Sequence, residues 1–232
     1  MSTTPPAPHP ALPRLLLLLS ATTGLVDAAS VLGLGKVFTA NMTGNVVFLG
    51  FAAARTPGFT VAPYCVALLA FVVGAIVAGR TGKLHAAAPL HRWLITAALT
   101  EAVLLWAAAL IAIGFDIATQ APEWKVFALI GLTALAMGFR NATVRQLKVP
   151  DLTTTVLTLT LTGIASDSRL AGGDDSNLAR RLTSVAMIFV GAAIGAFLVS
   201  HVGLAAPLAL AGFVILAGTI LCAGGVAPAA AQ

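Results

Sequence analysis

The strongest constraint on this chain is a succession of apolar runs near 20 residues long, separated by short polar stretches. About 20 helical residues rise about 30 Å, the thickness of the hydrocarbon layer of a bilayer. Barrel strands would alternate apolar and polar residues with a period of two, and that alternation is absent. Composition agrees: 59% of residues are hydrophobic and 9% charged, against roughly 25% charged in soluble domains, and the mean hydropathy is +0.98. The sequence predicts an all-α, polytopic helical membrane protein.

A net charge of +5 would suit nucleic acid only if the basic residues clustered, and they are instead dispersed at the ends of apolar runs. That is the pattern of membrane topology. Cys65 and Cys222 lie inside apolar runs, so neither a disulfide framework nor a metal site is expected. There is no His-Glu-x-x-His, no Gly-x-Ser-x-Gly and no phosphate loop, and the four histidines are dispersed. The expectation is no enzyme, no cofactor, no nucleic acid, and a lipid bilayer as the surrounding partner.

Residues 1–13 carry five prolines and read as a disordered tail. A first repeat is expected over 14–115, with spans at Leu15–Leu34, Val61–Gly79 and Trp93–Phe115, and a second over 124–226, with spans at Val126–Gln146, Leu182–Val202 and Ala206–Val226. Trp93 and Trp124 read as anchors at the membrane interface. Two further segments, 37–54 and 151–165, are apolar but interrupted, the first by Asn41-Met42-Thr43-Gly44-Asn45 and the second by six threonines. Each either crosses or dips in and returns.

Gly24-x-x-Asp27-Ala28 recurs 114 residues later as Gly138-x-x-Asn141-Ala142, Thr43 recurs after 115 as Thr158, and Gly74-Ala75 after 117 as Gly191-Ala192. These offsets predict an internal duplication, which the positive charges test. Setting Arg140 aside, eight spans would place six Lys or Arg on each side. Six spans place nine on one side (Arg14, Arg80, Lys83, Arg92, Arg145, Lys148, Arg169, Arg180, Arg181) and three on the other (Lys36, Arg55, Lys125). Nine against three obeys the positive-inside rule. The expected architecture is therefore an inverted repeat of six spanning helices plus two re-entrant or broken segments, with both termini cytoplasmic.

Gly24-Leu-Val-Asp27-Ala28, followed by Gly35-Lys-Val-Phe38-Thr-Ala-Asn41-Met42-Thr43-Gly44-Asn45 and Leu49-Gly50, resembles the signature of the YoaK-like family of bacterial membrane proteins, a family of unknown function. The likeness runs from about Leu15 to Val226, with Phe-x-x-Asn-Met-Thr-Gly-Asn its most specific part. The resemblance implies a multi-span protein of the bacterial inner membrane and implies no substrate. Similar proteins are expected to carry a Thr-Gly pair in the later polar segment, where Thr158 is here followed by Leu159.

An acid inside a span costs about 2.5–3.5 kcal/mol on insertion scales and needs a partner. For Asp27 the expected partner is Arg140, beside Asn141; the pair reads either as a gate or as a structural salt bridge. Asn41, Thr43, Gly44 and Asn45 read either as a solute-facing break in a helix, with Gly44 supplying the break, or as a polar helix contact. Glu101 reads as a proton carrier without a visible mate, or as a group facing a water pocket. Gly74, Gly79, Gly191 and Gly195 read as close helix packing. The leading expectation is a transporter of a small solute or ion whose path is lined by Asp27, Asn41, Thr43, Gly44, Asn45, Arg140, Asn141 and Thr158. The rival is a non-transporting scaffold or partner-binding subunit. Six spans make a thin bundle, which leaves a homodimer open.

Overall fold

The computed structural model describes residues 11–85, 87–147, 157–174 and 177–224. Eight α-helices and one 3-10 turn follow in order: α1 Ala11–Gly33, α2 Met42–Ala53, α3 Val61–Leu84, α4 Leu90–Ala112, α5 Glu123–Leu147, α6 Leu157–Ser166, the turn Arg169–Ala171, α7 Leu178–His201 and α8 Ala205–Gly224. Six of them (α1, α3, α4, α5, α7 and α8) are long and apolar enough to cross a membrane. At 1.5 Å per residue, α2 with 12 residues and α6 with 10 reach only about 18 and 15 Å. Among the described residues neither helix is long enough to span, and length favours six crossings. Residues 151–156 of the second interrupted segment lie outside the described residues.

Helix starts come earlier in several places than the apolar runs suggest. Residues 11–13, expected in the tail, form the first turn of α1; Pro13 is tolerated there because first-turn amides have no intrahelical acceptor. Residues 1–10 lie outside the described set. Similarly, α7 begins at Leu178, so Arg180 and Arg181, just before the expected span at Leu182, are helical.

Four helices make the core: α4 packs on α5 and α8, and α1 packs on α8 and touches α5. Outside them α3 lies along α5 and α7 along α1, while α2 packs on α3 and α6 on α7. The outer helices touch the core backbone to backbone. A methyl group at Gly24 would overlap the Ile188 carbonyl and one at Gly191 the Ala21 carbonyl; likewise Gly138 meets Phe71 and Gly74 meets Leu135. These contacts correspond in sequence: Ala21 and Gly24 precede Leu135 and Gly138 by 114 residues, and Phe71 and Gly74 precede Ile188 and Gly191 by 117. In lipid, where apolar side chains gain little by leaving their surroundings, such close approach is a main source of helix association. Gly195 packs likewise, against Leu25 and Ala28, but Gly79 departs from the expectation: a side chain there would meet nothing within 4 Å. The outward faces of α3 and α7 expose Leu69, Val72, Val73, Phe189, Val190 and Phe197, as suits lipid contact.

What ends α1 also positions the polar segment. Gly35 and Lys36 both take left-handed backbone angles (φ 74° and 66°). The Lys36 amide then donates to the Val31 carbonyl at 3.2 Å, the wrapped closure of a helix end. Gln120, from the α4–α5 connection, donates through Nε2 to the Gly33 carbonyl at 3.0 Å.

Candidate functional site

Beyond that turn, residues 37–41 fold back along α1. The Ala40 amide donates to Asp27 Oδ1 at 3.0 Å. Asp27 sits six residues from the C-terminal end of α1, and not at mid-span as its place in the apolar run suggests. Its carboxylate holds the returning loop by the backbone.

Asn45 holds the other side of that loop. Its Oδ1 accepts from the Phe38 amide at 2.9 Å and its Nδ2 donates to the Phe38 carbonyl at 2.6 Å. The side-chain amide thereby pairs with the backbone as a neighbouring strand would, and Asn45 is fully buried. Gly44 lies inside α2, so it is not the helix break; the break is the Gly35–Lys36 turn. A side chain at Gly44 would strike the Phe38 ring, 2.7 Å from where its Cβ would stand, and that ring stacks on Phe48 with centroids 6.1 Å apart. The Phe-x-x-Asn-Met-Thr-Gly-Asn string thus encodes a loop clamped to its own helix. Of its polar side chains, Asn41 and Thr43 remain exposed.

Arg140 does not pair with Asp27. Its guanidinium forms an ion pair with Glu101 of α4 through Nη2 and Oε1, and donates through Nη1 to the Thr23 hydroxyl at 2.9 Å and the Leu19 carbonyl at 3.2 Å. The reason is depth. Thr23 lies four residues before Asp27 on α1, about 6 Å along the axis, and Arg140 enters at the level of Thr23. Glu101, expected to lack a mate, therefore has one. Arg140 is 1% exposed and Glu101 4%. Near them Ser20 and Ser184 bring their hydroxyls to 3.2 Å, joining α1 to α7.

Beside the ion pair is a cavity of about 20 Å³, bordered by Glu101, Arg140, Thr143, Ala97 and Leu147 among others. Thr143 Oγ1 and Arg140 Nε are buried there without a hydrogen-bond partner. The space admits one water molecule.

The other expected path residues fall elsewhere. Asn141, the counterpart of Asp27, donates through Nδ2 to the Met137 carbonyl of its own helix at 2.8 Å. Thr158 is exposed on α6, and because α6 lies on α7 while α2 lies on α3, these two short helices sit on different flanks of the core. Thr23 and Thr143 were missed by sequence reasoning, although spacing could have found them. Thr23 stands one turn from Asp27, and Thr143 stands three residues from Arg140 on the same helical face.

The fold and this buried charge cluster define a polytopic helical membrane protein with two carboxylates and a guanidinium at or near membrane depth. A family described as "Protein of unknown function (DUF1275)" matches residues 15–221. The chain belongs to that family. It is 37% identical over 154 residues to the UPF0700 transmembrane protein YoaK of Bacillus subtilis (strain 168), covering 66% of this chain and 65% of that protein. The match thus spans just under two thirds of the relative's length. No solved structure matches.

Proposed function

We propose that the chain is a non-enzymatic transporter of a small solute or ion in the bacterial inner membrane, built as an inverted repeat with both termini cytoplasmic, and that the Glu101–Arg140 pair is the charged centre of its path. The observation that carries this reading is the pair itself. Charges buried at membrane depth are costly, and where they persist they commonly mark ion or proton pathways. Here one carboxylate and one guanidinium are held among hydroxyls, next to a water-sized cavity, in the middle of the four core helices.

The inverted repeat is supported by the reciprocal glycine contacts at constant offsets of 114 and 117 residues. Three spans per repeat would turn the second copy over relative to the first, and the nine-to-three distribution of positive charge favours the same plan. The cavity beside the pair, about 20 Å³, has room for one water, so passage of a larger solute requires the core helices to part. Asp27 and Asn45 serve the path by fixing the re-entrant loop, not by touching solute.

The test is a screen of inorganic ions and small metabolites for thermal stabilisation of the purified protein, followed by flux of the best stabiliser into proteoliposomes. A ligand at 100 times its dissociation constant adds about 2.7 kcal/mol of apparent stability. Wild type should be stabilised and carry flux, and Glu101→Gln should lose flux while still inserting. Flux undiminished in Glu101→Gln would refute the role of the pair. A screen without stabiliser or flux would favour the scaffold reading, in which the pair only ties helices together.

A further inference from the structure

At the end of the bundle that carries Arg80, Lys83, Arg92 and Arg145, a second cavity of about 290 Å³ opens among Gly82, His85, Ala88, Leu90, Trp93 and Gln146. Trp93 in its lining, expected at the membrane interface, is found 8% exposed, with its indole Nε1 buried and unpartnered. The next residues along each helix, Leu94 after Trp93 and Leu147 after Gln146, border the small cavity beside Glu101 and Arg140. On α4, Trp93, Ala97 and Glu101 recur every four residues and share one face, about 12 Å from first to last. On the facing helix Thr143 lies between Gln146 and Arg140.

Three buried polar groups without partners therefore lie along one seam: Trp93 Nε1, Thr143 Oγ1 and Arg140 Nε. Buried polar groups in folded proteins nearly always have a partner, and an orphan calls for a ligand, a water or a second conformation. A row of them between a polar vestibule and a water-sized cavity has a simple common explanation in water. We propose that the α4–α5 seam is a gated aqueous path to the Glu101–Arg140 pair, with the Trp93 ring as the plug that separates vestibule from cavity. The species it admits is water or a proton, since the inner cavity holds about one water. The path supplies the access that the transport reading needs, yet it is tested without any solute.

The full-length chain is placed in proteoliposomes with Cys65 and Cys222 replaced by Ala, and single cysteines are reacted with a membrane-impermeant trimethylammonium methanethiosulfonate. Gln146→Cys should react readily and Ala97→Cys slowly. Adding Trp93→Ala should raise the rate at Ala97→Cys at least tenfold, Trp93→Phe should leave it slow, and Ala108→Cys, deeper on α4, should stay protected throughout. Protection at Gln146→Cys overturns the vestibule, and equal rates at Ala97→Cys with and without the indole overturn the plug. Acceleration at Ala108→Cys together with Ala97→Cys means a loosened bundle and also overturns the gate. If Trp93→Ala does not fold, Trp93→Leu carries the same comparison. A chain that passes these measurements but shows no flux keeps the gated path and loses the transport reading.

Discussion

Replacing Arg140 by Met removes an ion pair with Glu101 and two hydrogen bonds to α1, at Leu19 and Thr23. It also leaves Glu101, 4% exposed, beside apolar neighbours with no countercharge. Truncating one partner of a buried pair costs about 3–5 kcal/mol. Glu101→Gln is milder, because Arg140 keeps both bonds to α1; one lost charge-assisted bond amounts to about 1.5–3 kcal/mol. With Glu101→Gln and Arg140→Met combined no charge is stranded, and a buried pair exchanged for groups of similar volume is often close to neutral. The double variant should therefore lose less than the two single losses together, by about 2 kcal/mol or more. The assay is thermal unfolding in detergent. At about 2–4 °C per kcal/mol for a chain of this size, Arg140→Met should lower the midpoint by roughly 6–20 °C, with much of that regained on adding Glu101→Gln. Losses that add to within about 0.5 kcal/mol would mean that the two charges do not face each other, and the depth argument that places Arg140 beside Thr23 would fail with them.

Asn45→Ala should cost about 1–3 kcal/mol by orphaning the Phe38 amide and carbonyl, and should expose residues 37–41 to proteolysis while leaving α4 and α5 intact. Gly24→Ala and Gly191→Ala should each lower the unfolding midpoint, since the added methyl meets backbone and the helix pair must separate, whereas Gly79→Ala, with open space around it, should be neutral or gain up to about 1 kcal/mol of helix propensity. At the start of α7, Arg181 donates to Asp167 at 2.7 Å, and together with Ser166 this holds the Asp167 carboxyl below the usual carboxylate range. Because the folded-state value is depressed, the contact's contribution is full above the unfolded carboxylate pKa and lost as pH falls through the folded one. Release of α6, followed by a fluorophore at Thr162→Cys, should therefore begin only in strong acid, and Asp167→Asn should remove that pH dependence.

The helical class and the six crossings were legible because both rest on length: 18 contiguous apolar residues mean a span wherever they occur. The reciprocal glycines were legible in part. Gly74 and Gly191 stand out by spacing, but nothing local separates them from Gly79, whose face meets no neighbour. The pairing of charges is not legible in the sequence, because repeat position matches Asp27 to Arg140 whereas depth in the membrane decides the partner. Counted from the helix ends, Glu101 lies 11 residues into α4 and Arg140 seven residues from the end of the antiparallel α5. An arginine that reaches back toward its own N-terminus covers the difference. Asn45 looks like a solute ligand in the sequence alone, because a sequence does not show that one amide is used up on a single backbone unit seven residues away.

Birth order and neighbourhood differ in this molecule. α1 leaves the ribosome first, but its main partner is α7, and the hydroxyl that Ser20 meets belongs to a residue 164 positions later. The first crossing must therefore wait in lipid with Ser20 and Gly24 uncovered while α3, α4 and α5 are inserted. A nascent chain halted after α5 holds α3 and α5 already zipped together and α1 still without its mate, so assembly is completed only when the last hairpin arrives.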